Sequence, residues 1–145
     1  MKLLHLALSG FLAVSTMGSD VVAQEFDAAA EIEAAIAGGD IAKGEKVFKK
    51  CKACHKVGED AKNTVGPQLN HFFAREIGSN EEYKYSDTFL EKKAEGQVWD
   101  IEAFNAFLTK PKDYIAKTKM TFAGLKKDSD RADVLAYLAS IQVTE

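Results

Sequence analysis

The sequence predicts an all-α fold in which short helices and long loops wrap around a centre that is not polypeptide. Three observations lead there. Apolar residues recur at helical spacing in stretches that open on capping residues. No alternating pattern long enough for a strand is present. The connecting segments are long and carry turn residues such as Gly58, Asn63 and Gly66-Pro67, and a small domain accommodates such lengths poorly unless something fills its middle.

The first 23 residues read as a secretory leader. Lys2 supplies the positive start, residues 3–14 form the apolar stretch, and Val21-Val22-Ala23 stands at a cleavage position. That stretch is too short to span a bilayer comfortably, so the expectation is cleavage after Ala23 and a periplasmic product, not a retained anchor. Enough chain remains for one domain. Residues 24–38 form an acidic extension: Glu25, Asp27, Glu31 and Glu33 are followed by Asp40 with no basic residue among them, within a chain of net charge −3. Residues 26–37 are expected to form a marginal helix or to stay mobile, with a solubilising role. The domain proper is expected over 39–145.

Asp40, after Gly38-Gly39, is a good N-cap for a helix over 41–51. Gly44 inside it costs helix stability and needs a packing reason; Phe48 shares its face. Loop follows through Gly58, Asn63 and Gly66-Pro67, then a short apolar piece at 69–73. Residues 88–95 suit a short helix ending near Gly96. Asp100 caps a helix through Thr109 that carries Ile101, Phe104, Phe107 and Leu108 on one face. Pro111 permits a second helical piece to about Ala116. After a loop over 117–127, residues 128–142 place Val134, Leu135, Leu138 and Ile141 along one stripe.

The chemistry-bearing feature is Cys51-Lys52-Ala53-Cys54-His55. C-x-x-C-H is the attachment pattern of a c-type haem. A thiolate can add to a porphyrin vinyl group and leave a thioether, and two cysteines three apart on one turn can reach both vinyls. The histidine that follows is placed to ligate the iron. Other readings fit less well. A redox dithiol wants a preceding strand and a βαβ context. A zinc site wants four ligands, but the chain has two cysteines in all, and its other histidines, His5 and His71, are isolated. A disulfide across two residues closes too small a loop to stabilise much. One covalently attached haem is the expected cofactor.

Three methionines are present, and removal of the leader takes Met1 and Met17. Met120 is left, in a loop where the chain can cross to the opposite face of a haem. A lone methionine is ordinarily core packing, but Thr118, Lys119 and Thr121 around it are polar. His71 is the rival; Met120 is the expected second axial ligand. A His/Met pair fills both axial positions, leaves none open for substrate, and raises the potential through a soft donor. That points to an electron carrier, not an enzyme.

With these residues in view, the chain resembles the class I cytochromes c, most closely the bacterial cytochromes c2 and their mitochondrial relatives. The matching segments are Gly39-Asp40 through the Cys51–His55 motif, Gly66-Pro67-Gln68-Leu69, Tyr83-Lys84-Tyr85-Ser86-Asp87, Val98-Trp99, Lys110-Pro111-Lys112-Asp113-Tyr114-Ile115, Thr118-Lys119-Met120-Thr121-Phe122-Ala123-Gly124, and the last helix with Tyr137-Leu138. The resemblance implies that Gly44 and Phe48 pack against Val134 and Tyr137. It implies that the Pro67 carbonyl accepts from the ring of His55, and that Arg75, Tyr85 and Trp99 serve the haem propionates. Thr118 and Phe122 would flank the methionine. Departures are visible too: Phe107 stands where the family has a tyrosine, and Asn70-His71-Phe72-Phe73-Ala74-Arg75 replaces a glycine-rich stretch.

Seven lysines, Lys46, Lys50, Lys52, Lys112, Lys119, Lys126 and Lys127, are expected around the exposed haem edge. They would dock a monomeric carrier onto acidic faces of membrane redox complexes. The resemblance implies a quinol-oxidising cytochrome bc1-type donor and a photosynthetic reaction centre or terminal oxidase as acceptor; no nucleic-acid partner is expected. A haem peroxidase would need an open iron site, and a tethered sensor would need an anchor.

Overall fold

Three of the helices start where an aspartate carboxylate caps them. The computed structural model describes residues 27–142, so the leader lies outside the described residues. Six helices form there: α1 (Ala28–Ala37), α2 (Ile41–Phe48), α3 (Asp87–Ala94), α4 (Ile101–Thr109), α5 (Pro111–Tyr114) and α6 (Asp128–Ser140). The Asp40 carboxylate accepts from the Lys43 N–H at 3.0 Å, and Asp100 from the Ala103 N–H at 2.7 Å. The bond from Lys43 holds the Asp40 carboxyl below its ordinary range. Among the described residues the one β feature is an isolated antiparallel bridge, Glu76 with Val98.

Several boundaries differ from the sequence expectation. α2 ends at Phe48, and the chain continues in tight turns with Cys51 N–H to Phe48 C=O at 2.8 Å and His55 N–H to Cys51 C=O at 2.9 Å. The cysteine motif therefore occupies one turn of its own just beyond the helix. α5 is shorter than expected and stops at Tyr114. α6 has no side-chain cap: its N-cap residue is Lys127, which has no acceptor to offer, and the Asp128 carboxylate in its first turn is engaged by Arg131.

α2 and α6 cross closely, and Gly44 permits it. A Cβ at that position would run into the Asp133 carbonyl and the Tyr137 side chain. Phe48 is buried beside it, with its ring 5.4 Å from that of Tyr137 and Val134 buried on the same side. The Asp40 N–H donates to the Asp133 carboxylate at 2.8 Å, which pins the start of α2 to the same helix.

The acidic extension does more than solubilise. Asp27 caps α1, accepting from the Ala29 and Ala30 N–H groups at 3.0 and 3.2 Å. Ala28, Glu31, Ile32, Ala35 and Ile36 form its covered stripe, at helical spacing, and α1 packs on α6. Glu31, inside that stripe, accepts the Ile101 N–H at 2.9 Å and so adds a second carboxylate to the start of α4. Replacing Glu31 by Ala is expected to lower stability by about 1–2 kcal/mol, seen as a shift of the urea midpoint at constant slope. The exposed neighbour Glu33→Ala should stay within about 0.5 kcal/mol. Equal effects at the two positions would show that the bond to α4 contributes nothing.

Candidate functional site

α2, α4, α6 and the long loops leave a cavity of about 510 Å³ between them. Phe48 reaches it from α2, Phe89 from α3, Phe104, Phe107 and Leu108 from α4, and Val134 and Leu138 from α6, with Leu69, Phe72 and Trp99 from the connections. These rings support one another: Phe72 and Phe104 lie 4.2 Å apart, and Trp99 meets Phe104 at 5.0 Å and Phe107 at 5.2 Å, both edge-on. The wall is apolar, and its polar groups are few and placed at particular points.

Cys51, Cys54 and His55 all line the cavity. The His55 ring nitrogen Nδ1 lies 2.7 Å from the Pro67 carbonyl, and since that carbonyl can only accept, Nδ1 carries the proton and Nε2 keeps its lone pair. Burial holds the imidazole pKa below its usual value, the Pro67 bond opposing, so the ring stays neutral as a ligand must be. Gly66 lies flat against this ring: a Cβ there would stand 2.8 Å from Nδ1. Burial also pushes the Cys51 thiol up to about 11, with the nearby Lys50 charge pulling the other way. An uncharged thioether sulfur suits that environment better than a thiolate does.

Met120 lines the same cavity from the 117–127 loop. The chain enters that loop through Lys117, in the left-handed region at φ 57°, and Met120 N–H donates to the hydroxyl of the buried Thr118 at 3.2 Å. Lys119 Nζ donates to the carbonyls of Lys84 and Tyr85 at 2.8 and 3.1 Å. This lysine, one of the seven, thus ties the loop to the segment before α3. Thr118 and Phe122 flank Met120 on the cavity. His71 is exposed and is not among the lining residues.

Arg75, Tyr85 and Trp99 converge on one side of the cavity. Arg75 donates to the Asn70 carbonyl at 3.4 Å, and its charge acts on the Tyr85 hydroxyl, whose pKa burial raises. The Trp99 N–H of the main chain bonds the Arg75 carbonyl at 3.0 Å. Phe107 is buried and offers no hydroxyl, as its departure from the family pattern implies. Of the seven lysines, all exposed, Lys50 and Lys119 line the cavity; Lys50 also pairs with Asp130 at 3.5 Å.

Sequence reasoning missed Tyr83, whose hydroxyl donates to the Val65 carbonyl at 2.7 Å on the cavity rim, and Phe89, stacked on Tyr85 at 5.2 Å. Tyr83 lies in a polar stretch without periodicity, and Phe89 stands in a short, largely polar helix whose sequence marks no buried face. The stretch over 70–75 carries its own cost: His71 and Ala74 adopt φ of 49° and 62°, values that glycine takes without strain. Ala74 N–H still reaches the Trp99 carbonyl at 3.1 Å, so the backbone keeps a glycine geometry with non-glycine residues.

A cytochrome c family model matches residues 41–142. The chain belongs to the cytochrome c family. Cytochrome c-550 of Ancylobacter novellus is 52% identical over 97 residues, covering 67% of this chain and 91% of that protein. Cytochrome c2 of Agrobacterium tumefaciens is 45% identical over 100 residues, covering 69% and 90%. The structure of cytochrome c2 from Rhodospirillum centenum aligns with a TM-score of 0.67 at 39% identity, over 71% of this chain and 98% of that one. The fold is that of a class I cytochrome c, as expected, and the family's cofactor is one covalent c-type haem, whose two thioethers the spacing of Cys51 and Cys54 fits. As a cytochrome c, the chain is an electron carrier. α1 lies outside the matched region.

Because left-handed alanine costs about 1–2 kcal/mol and glycine gives back part of that through a freer unfolded chain, Ala74→Gly should stabilise the protein by about 0.5–1 kcal/mol. Urea unfolding would read it. A glycine variant less stable than wild type would mean that the segment over 70–75 is not strained.

Proposed function

We propose that this cytochrome is an exported, monomeric one-electron carrier of the periplasm with His55 and Met120 as the axial ligands of its iron. The supporting observation is that a neutral, oriented imidazole and the methionine loop line one apolar cavity together with both cysteines. When bound, the haem supplies exchange of one electron between ferric and ferrous iron. The chain's residues do the rest. Cys51 and Cys54 tether the group, and His55 offers Nε2 because Pro67 occupies its other nitrogen. Met120 would supply the iron's second ligand, leaving no open position for a substrate, which supports a carrier over an enzyme. Arg75 and Tyr85 supply a charge and a hydroxyl where propionates would lie, with Trp99 beside them.

In this reading residues 1–23 are a leader removed after Ala23, and 39–145 are the cytochrome domain. The donor is a quinol-oxidising bc1-type complex and the acceptor a photosynthetic reaction centre or terminal oxidase. The relatives named cytochrome c2 support this assignment. The exposed lysines 46, 50, 52, 112, 119, 126 and 127 steer the encounter.

The ferric wild type is expected to show the weak far-red band of a thioether–iron bond. Met120→Ala should abolish it and give high-spin features, whereas His71→Ala should keep it. A wild type that is already high-spin without the band would overturn the assignment. Electron transfer to a purified bc1-type partner should slow as ionic strength rises; a flat profile would remove the lysines from docking.

A further inference from the structure

Arg131 is a charged side chain held in the interior, 7% exposed. All three nitrogens of its guanidinium are engaged. Nε donates to the Asn105 side-chain oxygen on α4 at 2.6 Å, Nη1 to the Leu125 carbonyl at 2.7 Å, and Nη2 to the Asp128 carboxylate on its own helix. Leu125 closes the loop that carries Met120. It is buried, and its N–H donates to the Leu108 carbonyl at 2.7 Å. Both backbone groups of this residue are therefore fastened, one to α4 and one, through Arg131, to α6. Gly124, just before it, sits at φ 92° and presses against the Thr109 carbonyl.

We propose that Arg131 is a positioning residue for Met120, its guanidinium clamping the end of the methionine loop through the Leu125 carbonyl and so limiting how often that loop swings out of the cavity. The inference rests on Met120 being an iron ligand. A loop without regular structure opens locally at a frequency set by the bonds that hold its ends. At the start of this loop the bonds come from exposed or small groups, Lys119 Nζ and the Thr118 hydroxyl. At its end the holding group is a buried, charged fork. Losing it leaves the buried Leu125 carbonyl without this donor, which favours the open loop. Lysine keeps the charge but cannot span three acceptors that diverge toward α4, the loop and Asp128.

Imidazole reads the open state directly, because it reaches ferric iron only when Met120 has left, and its apparent affinity scales with the open fraction. In the haem-bearing protein, Arg131→Lys is expected to bind imidazole at least tenfold more tightly than wild type, with loss of the far-red band at correspondingly lower imidazole. Asn105→Ala removes the partner of Nε alone and should give about a threefold gain; it serves if Arg131→Lys yields no folded protein. Wild-type-like imidazole affinity, within twofold, in whichever variant folds overturns the proposal even if its urea midpoint falls, since that is what a merely structural role produces. A wild type lacking the far-red band before imidazole is added instead overturns the assignment of Met120, and this inference with it.

Discussion

An apolar space of about 510 Å³ at the centre of a domain this small constrains everything around it. Its apolar lining forfeits packing contacts and hydrophobic burial wherever no group stands against it. The helices cannot close it themselves. α2 and α6 are locked in close contact at Gly44, and α4 borders the space with Phe104 and Phe107. The chain's solution is a covalent cofactor that is also its core. Cys51, Cys54 and His55 lie on a single turn immediately beyond the helix most tightly held to α6.

Each part of the site then serves two ends. Pro67 orients His55 while its neighbour Gly66 lets the loop lie against the ring. Lys119, one residue from Met120, anchors that loop to Lys84 and Tyr85, which joins the methionine loop to the segment that carries Tyr85. Trp99 packs on Phe104 and Phe107 and, through its backbone, holds Ala74 and Arg75 in register. Packing and the placing of the cavity's polar groups cannot be separated in this molecule, because the same long loops do both.

What could be read from sequence was local. Asp40 and Asp100 announce their helices because a cap acts over three residues, and the cysteine motif announces its cofactor because thioether geometry needs that spacing. The end of α2 at Phe48 was less visible, since Lys49 and Lys50 are good helix formers and the turn that follows is set by where Cys51 must point. Glu31 looked like one more solvated acid in an alanine-rich run; its bond to Ile101 spans a sequence distance no pattern encodes. Arg131 was hidden for the same reason, inside the polar first turns of α6, while its partners lie on α4 and at Leu125. The left-handed His71 and Ala74 could be suspected only as replacements for glycine, and the backbone kept the glycine shape regardless.

The central claim is that the haem completes the core. Its most direct test is the chain carrying Cys51→Ala and Cys54→Ala, prepared without haem and unfolded in urea beside the haem-bearing wild type under near- and far-UV circular dichroism. The account predicts a cooperative transition with a fixed aromatic near-UV signal in the haem-bearing protein alone, the haem-free variant keeping at most fluctuating helical structure. A haem-free variant that unfolds cooperatively from a state with the same ordered aromatic signal would contradict it.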